Sequence, residues 1–384
     1  MNKAKSRKKR VLCLLFTVIA VVASLFFVGM FLLFYEPPQS SGGSDIAGDY
    51  VIYTEEYGEE MDLFLYQISR DTTTKISDNM PLFGHTLNIS GNDVLWQNTE
   101  NEIFLYEIHT GMTRLISKSG SNPKINGDYV VWSDREVNFK KVFLYQISTS
   151  TVRKIAKTKN MWQFKIDGDH VIWSGFAKDT YQIYFYQIHA NKTTQIWNST
   201  EPAYDPQISG DHILWKGSEN SIYLYQINTD SLLQISNNAW TPCLHKDYVA
   251  WDGGKSSEDG EIYLHKISTG STRIISNNRP PDAFFPVIYG DYVKWTSFAN
   301  PGTESYIYDI HSGDIVEFPA NKPGIYSPQI HEDYFLWSDY SKHYIYKNGS
   351  GIIMQLNNGN SAKWILTPDE NWEIQPTNDT NLTN

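Results

Sequence analysis

The hydrophobic pattern of this chain is one phrase written eight times. Ile125 to Trp132 reads Ile-Asn-Gly-Asp-Tyr-Val-Val-Trp: one apolar residue, a polar turn, then an apolar run closed by an indole. Ile166 to Trp173, Ile208 to Trp215 and Ile288 to Trp295 repeat it closely; Ile46 to Tyr53, Ile89 to Trp96, Leu244 to Trp251 and Ile330 to Trp337 repeat it more loosely. Successive copies start 36 to 44 residues apart. A period near 40 means an array of one supersecondary unit, in which each unit buries its apolar faces against its neighbours.

Each copy continues alike. A second apolar run follows, ending in Tyr-x-Ile, as in Val142-Phe-Leu-Tyr-Gln-Ile147 and Ile222-Tyr-Leu-Tyr-Gln-Ile227. A turn rich in Ser, Thr, Asn and Gly leads to a short third run, such as Thr113-Arg-Leu-Ile-Ser117, and a loop returns to the next copy, often through Pro-x-Ile. Proline suits the first residue of a strand, where no ladder bond is needed. Each unit therefore reads as four strands: A ends at the first Ile, B carries the Trp, C carries Tyr-x-Ile, and D is the last short run. Gly-Asp is the A–B hairpin turn. Strands B and C are apolar on both faces, so each sheet needs a neighbour on each side. The predicted fold is all-β: a β-propeller of four-stranded blades over residues 45–374, with eight blades favoured and seven the alternative if a terminal copy is displaced. The Trp of strand B reads as packing between blades. Burying one such ring stabilises by about 4–6 kcal/mol as an upper bound.

The ends suggest how the ring closes. Gly42-Gly43-Ser44 is a poor strand A for the first copy, whereas Trp364-Ile365 and Trp372 resemble a decayed ninth half-copy. Residues about 362–374 are thus expected to complete the first blade, so that deleting residues 360–384 would unfold the ring. Residues 375–384 read as a disordered tail.

Val11 to Tyr35 is an uncharged, mostly apolar run preceded by six positive charges in the first ten residues. As a helix it would span about 37 Å, enough to cross a bilayer. It is longer than a signal-peptide core and lacks a clear cleavage site. It reads as a transmembrane signal anchor with residues 1–10 cytoplasmic, 36–44 a flexible linker, and the propeller outside the cell membrane. Six Asn-x-Ser/Thr sites, beginning with Asn88, suit a glycoprotein outside the cell.

No acidic residue precedes Glu36, so beyond the basic segment the chain carries a formal charge of −17. Such a body argues against a nucleic-acid partner. Two Cys, at 13 and 243, exclude a disulfide framework, and Cys243 reads as a small core residue.

The phrase Ile-x-Gly-Asp-x-Val-x-Trp, followed by Tyr-x-Ile-Ser-Thr-Gly, resembles the TolB-like propeller repeats of archaeal and bacterial cell-surface proteins, over residues about 45–374. That resemblance implies architecture. Such repeats occur in surface-layer and adhesion proteins, in periplasmic TolB, and in some peptidases and polysaccharide lyases, so it implies no reaction.

Motifs for phosphate loops, zinc proteases, nucleophile elbows and Cys-x-x-Cys chemistry are missing. Nine of ten His occupy repeat slots, with His245 and His331 just before the A–B turn, and read as slot variants. The acidic stretches Glu55–Glu60 and Ser256–Glu261 carry the carboxylates that calcium takes, but lack EF-hand spacing and read as solvated loops. Calcium is the one candidate cofactor. The A–B and C–D turns are short and monotonous, whereas the B–C and D–A loops, on the opposite face, vary and carry aromatics. Variable loops on a rigid scaffold are where binding usually lies. The candidate binding residues are Trp162, Tyr204, Trp240, Phe284, Phe285 and Tyr326, with no catalytic or metal residues assigned. The expected function is a membrane-anchored binding, cell-envelope or scaffold module for protein or polysaccharide. The alternative is an extracytoplasmic hydrolase or polysaccharide lyase with its site at the central opening.

Overall fold

The computed structural model describes residues 43–375 other than 58–59, 81–85, 135, 137–138, 162, 255–259, 277–282, 298–303, 319–325, 332–333, 340–341, 348–351, 357–361 and 366–372. The basic segment, the apolar run 11–35, nearly all of the linker and the tail 376–384 lie outside the described residues. Among the described residues no helix is long and apolar enough to cross a membrane.

The fold is all-β, and its first 32 strands form eight antiparallel meanders, each in the order A-B-C-D. They span residues 44–80, 87–117, 121–159, 164–195, 204–236, 243–274, 283–318 and 326–356, and are called blades 1 to 8 below. In blade 3, Tyr129 to Ser133 pairs with Ser121 to Asn126 on one side and Val142 to Gln146 on the other. The two-residue A–B turn works because Gly127 sits at φ +53° while Asp128 does not share the positive φ, as in a II′ hairpin. A Cβ there would meet nothing within 4 Å, so the constraint is backbone conformation rather than space.

The Asp of the phrase has a second task. Its main-chain oxygen accepts a hydrogen bond from the Ile of Tyr-x-Ile in the same blade, as in Ile68 to Asp49, Ile147 to Asp128, Ile188 to Asp169 and Ile267 to Asp247. Its carboxylate accepts from the residue that follows that Ile: Ser69 N at 2.7 Å on Asp49, Ser148 N at 2.7 Å on Asp128, Ser268 N at 2.8 Å on Asp247. The A–B turn thereby clamps the C–D turn beside it. Burial pushes the Asp49 and Asp128 carboxyls up, but the Ser and Gln donors outweigh it and hold both below their usual range.

Each blade packs on the next through an apolar seam. Ile52, Leu63 and Leu65 of blade 1 meet Val94 and Trp96 of blade 2; Leu95, Ile103 and Leu105 of blade 2 meet Val130 and Trp132 of blade 3. The succession continues to blade 8, whose Leu336, Ile345 and Leu356 pack against Val51, Tyr53, Phe64 and Tyr66 of blade 1. The strand B indole faces the preceding blade at every seam that has one. It also stacks on the cross-strand aromatic of strand C, as in Trp251 on Tyr263 (5.5 Å between centroids, 6° between planes) and Trp173 on Tyr184 (5.7 Å, 12°).

The expected closure is overturned. Blade 1 owns a strand A, Ser44–Ala47, paired with Tyr50 to Tyr53. The two C-terminal strands, Ala362–Ile365 and Glu373–Gln375, add in turn to strand D of blade 8 and extend that sheet to six strands. An outer strand offers unpaired backbone groups to any segment that follows it, and the chain takes this near edge instead of returning to blade 1. The blade 8–blade 1 seam is non-covalent and shares no strand. Gln329 Nε2 donates to Ser44 O at 2.9 Å, and the buried His343 ring meets Thr54 O through Nε2 at 2.9 Å.

Blade 7 departs from the pattern inside its sheet. Lys294 occupies the strand B slot that Ile52, Leu95, Val131, Ile172, Leu214, Ala250 and Leu336 fill elsewhere, and it is 2 % exposed. Among the described residues no hydrogen bond or ion pair reaches its amine, and burial alone pulls it down to about 7.

Removal of residues 360–384 should leave one cooperative melting transition, with a midpoint within about 5 °C of the full chain. Loss of that transition would restore the shared-blade closure. Lys294→Met should stabilise the ring by roughly 1–3 kcal/mol in chemical denaturation. A lysine whose folded value is lowered costs stability in full below about pH 7, and the cost fades as pH rises toward the unfolded value. The gain should therefore be largest at and below neutrality and shrink at alkaline pH.

Candidate functional site

The loop face of blades 4 to 7 brings several of the candidate residues together. Trp240, in the loop from blade 5 to blade 6, stacks on Phe284 (5.9 Å, 23°), near the start of strand A of blade 7, and Phe284 meets Phe285 at 6.0 Å. Phe285 lies at φ +58°, a backbone region that bulky side chains rarely adopt. It precedes Pro286 where strand A changes register between Phe284 and Val287. Asn122 and Asp205 sit before Pro123 and Pro206 in the same conformation, so this bulge is a repeat feature.

Asp252 holds the group in place. It follows Trp251 near the end of strand B of blade 6 and is 1 % exposed. Its carboxylate accepts from Thr241 N at 2.6 Å, Thr241 Oγ1 at 2.5 Å and Phe285 N at 3.2 Å, and its main-chain oxygen accepts from Trp240 N at 2.9 Å. Burial pushes its carboxyl above the usual range even against those donors. One blade earlier, Lys216 occupies the same slot after the indole and donates through Nζ to Trp240 O. Burial pulls the Lys216 amine down, while Asp205 and Asp252 pull it back up. Burial also raises Asp205, with Lys165 and Lys216 opposing.

Tyr204 belongs to a second aromatic group. It is 38 % exposed and meets Tyr181 at 5.5 Å, which in turn meets Phe176 at 5.4 Å. Tyr204 lies opposite Lys216 in register, so Lys216 connects the two groups: one flank is Tyr204, the other Trp240. Tyr326 opens strand A of blade 8 opposite Ser338. Its side chain, like the whole of Trp162, lies outside the described residues.

Asp205, Lys216 and Asp252 were not among the residues singled out from the sequence. The available signal was the slot after the strand B aromatic, which holds Thr54, Gln97, Ser133, Ser174, Thr296 and Ser338 in other copies and a charge only at Lys216 and Asp252.

On the opposite face, the slot before the A–B turn carries Ser90, Asn126, Asp167 and Ser209 in blades 2 to 5. Each accepts from the main chain of the next blade's turn: Gly127 N on Ser90 at 3.0 Å, Gly168 N on Asn126 at 3.0 Å, Gly210 N on Asp167 at 2.6 Å, Lys246 N on Ser209 at 2.8 Å. In blades 6 to 8 rings replace these bonds. His245 stacks on Tyr289 at 5.0 Å, and Tyr289 meets His331 at 5.1 Å. The two His read as separate variants are thus joined through one Tyr. Among the described residues no group of three His, Cys, Asp or Glu converges as a metal shell. Of the acidic stretch Ser256–Glu261, residues 256–259 lie outside the described residues, and Glu261 opens strand C of blade 6. Cys243 packs at the edge of the blade 6–blade 7 seam, and burial pushes its thiol up to about 12, as befits a core residue.

No family model matches the sequence, and no curated protein matches it. Solved structures do match. The computationally designed Ika8 protein aligns with 81% of this chain and 98% of its own at 10% identity and a TM-score of 0.56. A prolyl endopeptidase aligns with 80% of this chain at 11% identity and a TM-score of 0.55, and this chain covers 54% of it. TolB from Acinetobacter baumannii aligns with 73% of this chain and 79% of its own at 14% identity and a TM-score of 0.38. The meanders, their cyclic seams and the first two of these likenesses define the class: a β-propeller. The chain spans about half the length of the peptidase it matches, so that protein's activity does not transfer with the fold.

Asp252→Ala would leave buried donors on Thr241 and Phe285 without an acceptor, at about 1–3 kcal/mol for each orphan. Denaturation should show a loss of that order, together with a change in Trp240 emission. Asp252→Asn, which keeps one acceptor oxygen, should lose less. Equal losses for the two variants would remove the clamp.

Proposed function

We propose that this chain is a membrane-anchored, eight-bladed propeller of the TolB-like repeat kind, displayed outside the cell, whose loop face binds polysaccharide or protein. The observation that carries this reading is the pair of aromatic groups joined through Lys216 on the face where the copies disagree. Aromatic rings with polar tips bind flat, partly apolar ligands, and sugar rings are such ligands. The anchor reading rests on the basic segment and the apolar run 11–35, and the exterior placement on that orientation and on the sequons. On this reading the cofactor is none, with calcium open for the acidic loops, and the partners are the membrane and a glycan or protein ligand, not nucleic acid.

The second reading, a hydrolase or lyase, draws on Asp205, Lys216 and Asp252, whose acidities are all displaced within one cluster, as catalytic groups often are. Against it, Asp252 already accepts three hydrogen bonds from its own loops.

Detergent-solubilised full chain should bind a subset of a glycan array or capture a protein in a pull-down. Trp240→Ala combined with Phe284→Ala should weaken that binding by about tenfold or more while melting stays cooperative. Binding unchanged in the double variant removes the loop-face site. Turnover of a bound glycan, abolished by Lys216→Met, would establish the enzyme instead.

A further inference from the structure

The chain outside its basic segment is strongly acidic, yet residues 139–178 contain eight Lys and Arg against Asp167 and Asp169 alone. Both acids lie at A–B turns, away from the loop face. Four of these cations, Lys140, Lys157, Lys159 and Lys178, lie at the loop-face ends of two long hairpins. Strands C and D of blade 3, Phe139–Gln146 and Thr151–Lys159, and strands B and C of blade 4, His170–Ala177 and Thr180–Gln187, are eight or nine residues long, whereas strands B and C of blade 2 have five. At about 3.3 Å per residue the hairpins stand roughly 10 Å taller than that blade.

The two hairpins are fused into one wall. Lys159 pairs with Phe176 across the blade boundary, making blades 3 and 4 one eight-stranded sheet. Gly175 permits the approach: a Cβ there would lie 2.3 Å from Thr158 Oγ1. Amines and rings alternate along the wall. The Lys157 amine lies 5.2 Å from the Phe139 ring, and Lys159 lies opposite Phe139 in register and 5.5 Å from the Phe176 ring. Phe176 leads to Tyr181 and then to Tyr204. Phe139 is 45 % exposed. Nearby acids are Asp134 and Glu136, both engaged by Lys141, together with Asp179 and Glu201. Among the described residues no carboxylate pairs with Lys157 or Lys159.

We propose that this wall is a docking strip for an acidic polysaccharide, with Lys157 and Lys159 pairing its anionic groups and Phe139, Phe176, Tyr181 and Tyr204 carrying its sugar rings. The proposal rests on the loop-face binding reading and specifies its ligand. Alternation of rings and amines fits a chain of sugars with spaced charges. A lipid surface would select a continuous apolar wedge, and nucleic acid, with a charge every ~1.7 Å, would meet the acidic body on either side.

The test uses detergent-solubilised full chain and alginate, with dextran as the neutral probe. Alginate should bind at about 50 mM salt and weaken steeply by about 300 mM, whereas dextran should show no such dependence. Lys157→Glu with Lys159→Glu should cost alginate about tenfold or more, with unchanged melting, and Phe139→Ala should weaken it without changing the salt slope. No alginate binding at low salt, equal binding by the charge-reversed protein, or tighter binding of single-stranded RNA or phosphatidylserine vesicles would each overturn the strip. If the charge reversal has no effect and the Trp240–Phe284 double variant still loses its ligand, the strip fails and the loop-face reading stands. If only the charge reversal matters, the strip stands and the loop-face cluster falls.

Discussion

Everything in this ring depends on burying both faces of each four-stranded sheet. Strand B of blade 2 places Val94 and Trp96 against blade 1 and Leu95 against blade 3, all three buried. A sheet of this kind has no stable solitary state, because either face left open would put a row of large apolar side chains in water. The repeat solves this by cyclic succession, and the last seam, between blades 8 and 1, joins the most distant parts of the chain. Tyr66 of blade 1 and Leu336 of blade 8 are buried side by side there. Closure by seam rather than by a shared strand makes this interface chemically special. It carries His343, whose ring burial holds down to about 4, while at the blade 1–blade 2 seam burial raises Asp45, the acceptor for Ile89 N, to about 6. Their opposed shifts mean that acid weakens one contribution while it relieves the other.

Within a blade, the turn phrase supplies what the seams do not. Apolar seams tolerate sliding, since apolar packing alone is not directional. The Asp128 carboxylate and main-chain oxygen, each fixed to the C–D turn of the same sheet, set the register of four strands at one end. Between blades 2 and 6, the residue before the Gly extends that fixation to the next turn. Where it becomes His245, Tyr289 and His331, stacked rings take over. The conserved shape of the turn face is therefore a mechanical requirement, and it leaves the loop face free to vary.

Much of this was legible in the sequence because it repeats. The eight indole or Tyr positions, the Gly-Asp hairpin turn and the four-strand order all follow from spacing and polarity. The closure was not legible. Trp364-Ile365 carries the right residue types for an inner strand, but an edge strand is recruited by backbone hydrogen bonds, which depend little on side chains, and the nearest open edge was strand D of blade 8. Of the candidate site, the aromatics Tyr204, Trp240, Phe284 and Phe285 were visible as loop residues that break the pattern. Lys216 and Asp252 were hidden because they stand at the end of a strand whose other positions are wholly structural. Their role appears only once two consecutive blades lie side by side.

The loop face is also uneven, and that unevenness bears on what it can hold. Blades 3 and 4 carry tall hairpins with exposed Lys157 and Lys159 at their ends, while between blades 5 and 6 Lys216 and Asp252 are locked to the loop that carries Trp240. Exposed Lys157 and Lys159 keep their hydration until a ligand arrives, so they contribute steering and salt-dependent attraction. Buried Asp252 and half-buried Lys216 have already given up much of theirs and serve to hold Trp240 and Phe285 in fixed positions. A ligand that spans both regions gains long-range attraction from the wall and low-entropy-cost ring contacts from the Trp240–Phe284 group. Extended polymers can span them, whereas a small compact ligand would engage only one. That difference in reach, more than any single residue, favours a polymeric partner for this face.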